Sequence, residues 1–235
     1  MLKVSEQDKI KPLPCWLPVT ALLPKYFILG LPRTATTSVC LATLSLGFRT
    51  AHTAYVNRAF EHANVIADTP VFADYAQLDT HFPGAKFIYL NRARETWIPS
   101  IRQLLLRMFD NLTSESGGFN PVIKRCYHEI FAPIERETIM CDEHLWHCYL
   151  RHQQQVLNYF SERPEDLLMI EVGQPGSYQA LYDFMRPCHA ADRAGDFVRV
   201  NQGGKVTAWK QIKHPLKVES THQGRVETLF YQKGR

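Results

Sequence analysis

The sequence predicts an α/β fold: one domain, a parallel β-sheet flanked by helices, with a phosphate cradle of the P-loop type after the first strand. Three observations carry this. Short apolar runs closed by Gly, Pro or polar residues recur along the chain, a stretch of helical periodicity follows most of them, and the first run opens into a loop rich in hydroxyl side chains. The 235 residues are 45% hydrophobic and 21% charged, enough apolar mass to bury a core without covalent staples. Its 12 Gly and 14 Pro are scattered, which excludes collagen-like and low-complexity chains.

The elements follow in order. Lys25-Tyr-Phe-Ile-Leu-Gly30 suits a buried parallel strand, and Thr36 to Leu46 a helix with Val39, Leu41, Leu44 and Leu46 at helical spacing and Gly47 as its stop. Asn64 to Ala67 reads as a second strand and Val71 to His81 as a helix; Pro83-Gly84 then breaks the chain before a third strand, Lys86 to Leu90. Glu95 to Met108 places Trp97, Ile101, Leu104, Leu105 and Met108 on one helical side. Between Asp110 and Pro121 the composition turns to Asn, Ser, Gly and Pro, as in a lid-like loop. A long helix from Asp142 to Arg163, a strand at Leu167 to Glu171 and a helix from Tyr178 to Met185 complete the pattern. The basic tail from Arg186 onward shows no pattern that assigns an element.

Charge and cysteine content bound the setting. A net charge of +4 favours a phosphate-bearing ligand and falls short of the clustered basic face of a nucleic-acid binder. The six cysteines, Cys15, Cys40, Cys126, Cys141, Cys148 and Cys188, are too irregularly spaced for a disulfide framework, so reduced thiols are expected. Met1 to Pro12 lacks the apolar core of a secretory signal, and Pro18, Pro24 and Lys25 interrupt the apolar stretch Cys15 to Leu31, so no membrane span and a cytoplasmic location are expected.

In a sheet of this kind ligands bind at the carboxyl ends of the strands, which directs attention to Gly30-Leu-Pro-Arg-Thr-Ala-Thr-Thr-Ser38. Backbone N–H groups at a helix start, the hydroxyls of Thr34, Thr36, Thr37 and Ser38, and the Arg33 guanidinium together form a cradle for a phosphate-like dianion. Compared with the nucleotide-triphosphatase loop, Gly30 fits the first glycine, but Ala35 replaces the second and Thr36 the lysine that grips the terminal phosphates, which disfavours ATP chemistry. The same segment also reads as a plain Thr-capped helix after a Pro turn.

These residues resemble the sulfotransferases that use 3′-phosphoadenosine 5′-phosphosulfate. Pro32-Arg33-Thr34-Ala35-Thr36-Thr37 is similar to that family's 5′-phosphosulfate loop. Ile88-Tyr-Leu-Asn-Arg92 followed by Ser100 is similar to its 3′-phosphate pair, and Tyr149-Leu-Arg-His152, Asn158-Tyr-Phe160 and Pro164 to Ile170 resemble its smaller bacterial and carbohydrate-type members. The resemblance implies a donor bound by Arg33, Thr34, Ala35, Thr36, Thr37, Ser38, Arg92 and Ser100. It also implies no metal, and transfer of a sulfuryl group to a hydroxyl or amine of a small-molecule, carbohydrate or lipid acceptor. In that role Arg33 stabilises charge on the bridging oxygen, while Thr36 and Thr37 hold the 5′-phosphate and sulfonyl oxygens. Arg94 and Arg102 lie near enough in sequence to contribute to the 3′-phosphate site.

The Lys and His that cytosolic relatives place after their second strand are missing. Asp68, in Ala67-Asp-Thr-Pro70, and His52, in the preceding segment, rank equally as the group that takes the acceptor's proton. Cys141, His144, Cys148 and His152 share one face of the long helix but spread over about 16 Å, too far for one tetrahedral ion. Trp146, Tyr149, Tyr159 and Phe160 read as core. Lys205, in Asn201-Gln-Gly-Gly-Lys205, is an expected anion contact from a late loop. Two rival readings stay open: a P-loop kinase of a small hydroxylated substrate, and a catalytically silent nucleotide-binding protein on the same fold.

Overall fold

The computed structural model describes residues 24–187, 193–198, 200 and 209–232. Its sheet has five strands, all parallel: β1 (Tyr26–Ile28), β2 (Thr50–Ala51), β3 (Val65–Ala67), β4 (Lys86–Asn91) and β5 (Leu167–Glu171), in the spatial order β2-β3-β1-β4-β5. The helices are α1 (Thr36–Ser45), α2 (Asn57–His62), α3 (Val71–His81), α4 (Arg94–Thr113), α5 (Pro121–Phe131), α6 (Arg136–Met140), α7 (Asp142–Tyr159) and α8 (Ser177–Met185).

Residue alternation along the strands builds two cores, because successive side chains leave a strand on opposite faces. Phe27, Ile66, Phe87 and Tyr89 point to one face, where Phe72 and Leu78 of α3, Trp97 and Ile101 of α4, Phe131 of α5 and Tyr149 and Val156 of α7 cover them. Tyr26, Ile28, Val65, Ile88 and Leu90 point to the other, covered by Val39 and Cys40 of α1 and Leu181 and Met185 of α8. Both faces are therefore sealed, which is why these strands read as unbroken apolar runs.

The structure departs from the sequence expectation at the sheet edge, in the loop after α4 and at the end of α7. β2 went unpredicted: two residues are too few for a periodicity signal, and it forms because Thr50 and Ala51 pair with Val65 and Ile66. The loop expected from Asp110 shortens to residues 114–120, since Leu112, 1% exposed, carries α4 one more turn into the core. Lys124 Nζ then ties that loop down, donating to the carbonyls of Ser114 at 2.5 Å and Gly117 at 2.8 Å. Helix α7 stops at Tyr159 rather than Arg163, with Phe160 buried as its C-cap.

Within the tail, Trp209–Gln211 and Phe230–Gln232 are 3-10 turns, and the stretch around Lys217 lies against the edge of the sheet. Thr50 N–H donates to Leu216 O at 3.0 Å and accepts at its own carbonyl from Val218 N–H at 2.9 Å. Tyr55 is held from both sides, by Ser220 O and Glu227 N–H. Buried Asp74 anchors the chain's end: Oδ2 accepts from Tyr231 Oη at 2.9 Å, Gln232 Nε2 at 3.1 Å and Arg125 Nη2 at 2.7 Å. Among the described residues no helix is long and apolar enough to cross a membrane.

Candidate oxyanion and transfer site

The loop from β1 to α1 turns sharply. Arg33 and Ala35 both adopt left-handed backbone, at φ 74° and 72°, a conformation costing roughly 1–2 kcal/mol for a residue with a Cβ. Gly30 is required by close packing: a Cβ there would collide with Thr34 Oγ1 and lie 2.7 Å from Leu90 Cβ. Thr34 is committed inward, its hydroxyl donating to Leu31 O at 2.7 Å and its N–H to the same carbonyl at 3.2 Å, so its side chain shapes the loop. The N-cap of α1 is Ala35, and no side chain caps the helix, which overturns the plain Thr-capped reading. The uncapped N–H groups of the first turn form, with the left-handed residues before them, a concave array of donors suited to an anion.

Two guanidiniums border that array. Arg33 Nε donates to Ser100 Oγ at 2.8 Å, tying the loop to α4. Arg92, one residue past β4, donates through Nη1 to the Arg33 carbonyl at 2.5 Å and through Nε to Thr96 Oγ1 at 3.2 Å. Among the described residues neither pairs with a carboxylate. Burial lowers both pKa values from the usual arginine value; the positive charge of Arg107 lowers that of Arg33 further, and the charge of Arg33 lowers that of Arg92. The Glu171 carboxylate at the end of β5 acts on Arg92 in the opposite sense without forming an ion pair with it, so two adjacent cations, neither ion-paired among the described residues, lie beside uncapped amides in an arrangement suited to an anion.

His52, after β2, reaches over the loop. Its Nε2 lies 3.2 Å from Thr36 Oγ1, 3.0 Å from Thr37 Oγ1 and 3.9 Å from Asp68 Oδ2. Burial lowers its pKa and the Asp68 charge partly offsets this, so at neutral pH the imidazole is uncharged. The Trp209 indole stacks on it at 5.4 Å between ring centroids and 29° between planes. Asp68 sits at the end of β3 in left-handed backbone, φ 59°; its Oδ1 accepts from Thr69 N–H at 2.7 Å and Thr69 Oγ1 at 3.1 Å, leaving Oδ2 toward His52. Sequence-predicted Arg33, Thr36, Thr37, Ser38, Arg92, Ser100, His52 and Asp68 thus gather at one end of the sheet.

Other expected contributors go elsewhere. Arg94 pairs with Glu143 and Arg102 with Asp142, both acids in the first turn of α7, so both arginines are directed to α7 in this structure. His144 meets Phe131 O at 3.2 Å and His152 meets Phe72 O at 2.8 Å, which makes both imidazoles packing groups. Lys205 lies outside the described residues.

Three supports were not singled out from sequence. Tyr149 Oη accepts from Arg92 N–H at 2.9 Å, Trp97 Nε1 donates to Pro32 O at 3.1 Å, and Trp209 seats His52. Trp97 carries only a core signal, Tyr149 a core signal and a place in the family-like run Tyr149-Leu-Arg-His152 but no role at Arg92, and an isolated Trp in a polar tail carries none.

Fold and site define an α/β protein with a loop of uncapped backbone amides and two guanidiniums at the carboxyl edge of a parallel sheet. A family model for the sulfotransferase domain matches residues 53–205, and the chain belongs to that family. It is, with that family, a transferase enzyme. The match begins after the cradle, so the loop geometry and the family assignment are independent observations. No curated protein matches the chain.

Proposed function

We propose that the protein transfers a sulfuryl group from 3′-phosphoadenosine 5′-phosphosulfate to a hydroxyl or amine of a small-molecule, carbohydrate or lipid acceptor. The observation that carries the reading is the linked pair of guanidiniums at neighbouring strand ends, Arg33 and Arg92, neither paired with a carboxylate among the described residues. A donor with a phosphosulfate at one end and a separate phosphate at the other calls for two such cations. The donor supplies an activated sulfuryl group, and the chain supplies position and charge.

In this reading the amides of α1 with Thr36, Thr37 and Ser38 hold the 5′-phosphosulfate end, Ala35 providing its backbone N–H. Thr34 keeps the loop in shape. Arg92 and Ser100 hold the 3′-phosphate, and Arg33 faces the oxygen on which charge accumulates. His52, uncharged and seated against the cradle, accepts the acceptor's proton at a ring nitrogen, while Asp68 favours the imidazolium that results. Asp68 has one carboxylate oxygen, Oδ1, already accepting from Thr69, which suits it to orienting His52 through Oδ2.

Thermal unfolding with adenosine 3′,5′-bisphosphate tests the donor assignment. A nucleotide present at a hundred times its Kd adds about 2.7 kcal/mol of stability. A shift with the bisphosphate and none with ATP is expected; a shift with ATP alone overturns the reading in favour of a kinase. Radiolabel transfer from the donor to a panel of hydroxyl and amine acceptors then separates an enzyme from a silent binder.

A further inference from the structure

At the edge of the sheet beyond β2, between α2 and the C-terminal segment, lies a cavity of about 400 Å³, lined by none of the residues assigned above to the donor or to proton transfer. Arg49, just before β2, and Arg58, on α2, enter it from different elements with His62 between them. Arg49 Nη2 lies 3.4 Å from His62 Nδ1, and Arg58 Nε points at His62 Nε2 from 3.4 Å. A neutral imidazole has one acceptor nitrogen, so it satisfies one guanidinium and turns an N–H toward the other. Among the described residues neither arginine pairs with a carboxylate.

The acids at the rim are engaged. Glu227 Oε2 accepts from Asn57 N–H at 2.9 Å, and Glu219 lies 3.5 Å from Lys217 Nζ. The charge of Arg49 is felt nearby: Lys25 has its pKa pushed down to about 8, by burial first and by Arg49 second, with Glu61 partly offsetting both.

We propose that this cavity is a second oxyanion site, taking a small molecule that carries a phosphate or sulfate monoester between Arg49 and Arg58. Two guanidinium forks on separate elements match the several lone pairs of a tetrahedral oxyanion. An anion set between them supplies the acceptors that His62 cannot, and cancels the repulsion of the paired cations. The cavity falls in the size range of small-molecule pockets, larger than a bare ion fills, which favours an ester over the free ion.

Residue-resolved NMR of the full chain tests this, because it separates the cavity from the donor cradle. Titration with phenyl phosphate should shift the ring signals of His62 to saturation, with those of exposed His81 unmoved. Arg58 is solvent-exposed on a short helix, so Arg58→Gln should keep the dispersed spectrum and the response of His52 to adenosine 3′,5′-bisphosphate while weakening phenyl phosphate at His62 at least tenfold. Shifts at His62 no larger than at His81, or an affinity unchanged in Arg58→Gln, overturn the site. Inorganic phosphate run in parallel should saturate later; equal or tighter binding of the free ion overturns the ester assignment. The outcome does not depend on whether the donor reading holds.

Discussion

Arg92 Nη1 donates to the backbone carbonyl of Arg33 at 2.5 Å, so the cation at the end of β4 also braces the left-handed turn of the cradle. One side chain thereby couples the two proposed anion subsites. Arg92→Met removes a charged donor from the bound phosphate and a brace from the loop. Charge-assisted hydrogen bonds contribute about 1.5–3 kcal/mol each, so affinity for adenosine 3′,5′-bisphosphate should fall on the order of tenfold to a hundredfold in isothermal titration. Arg92→Lys should recover part of the charge and little of the brace, since an ammonium lacks the fork that spans Arg33 O and Thr96 Oγ1. Full affinity in Arg92→Met would remove the residue from the site.

His52 and Asp68 make different predictions that one pH series separates. If His52 is the base, His52→Ala should lower turnover about 10²–10⁴-fold. The wild-type rate should fall on the acid side with a midpoint below the ordinary histidine value, because burial holds the imidazole neutral. The Asp68 carboxylate favours the imidazolium, so Asp68→Asn should move that midpoint to still lower pH while keeping turnover within a modest factor. A collapse of turnover in Asp68→Asn with an unmoved limb in His52→Ala would transfer the role of base to Asp68.

Gly30 offers a test of the cradle that touches no ligand group. A methyl group there collides with Thr34 Oγ1 and crowds Leu90. Gly30→Ala should cost roughly 1–3 kcal/mol by overpacking and should loosen the Thr34–Leu31 bond that sets the loop. Urea unfolding reads the first effect and bisphosphate affinity the second. Loss of stability with unchanged affinity would show that the loop keeps its shape by other means.

Much of this arrangement is legible in the sequence, for reasons that differ by residue. The inner strands are short apolar runs because both faces are covered, and the hydroxyl-rich loop sits where a parallel sheet binds ligands. β2 escapes notice because two residues carry no period. The base pair His52–Asp68 could be nominated, but its order needed the Thr69 bonds to Asp68 and the contacts of His52 with Thr36 and Thr37. Trp209 lies more than 150 positions from His52 in the chain, and a contact that remote leaves no local pattern.

His152 links the core to pH. Its ring is 1% exposed, stacks on Tyr89 and meets Phe72 O at 2.8 Å, and burial pushes its pKa down to about 4, which the Phe72 carbonyl only partly offsets. The unfolded chain returns the group to about 6.5. Between those values the unfolded state binds the extra proton, so stability is fully present above about pH 6.5 and declines as pH falls toward 4. The loss attributable to this residue is on the order of 3 kcal/mol at the acid end. Urea midpoints at successive pH values should show it, and His152→Gln, less stable at pH 7 through its poorer packing, should show a shallower decline from pH 6.5 to 4. An identical slope in the variant would place the acid sensitivity on other groups.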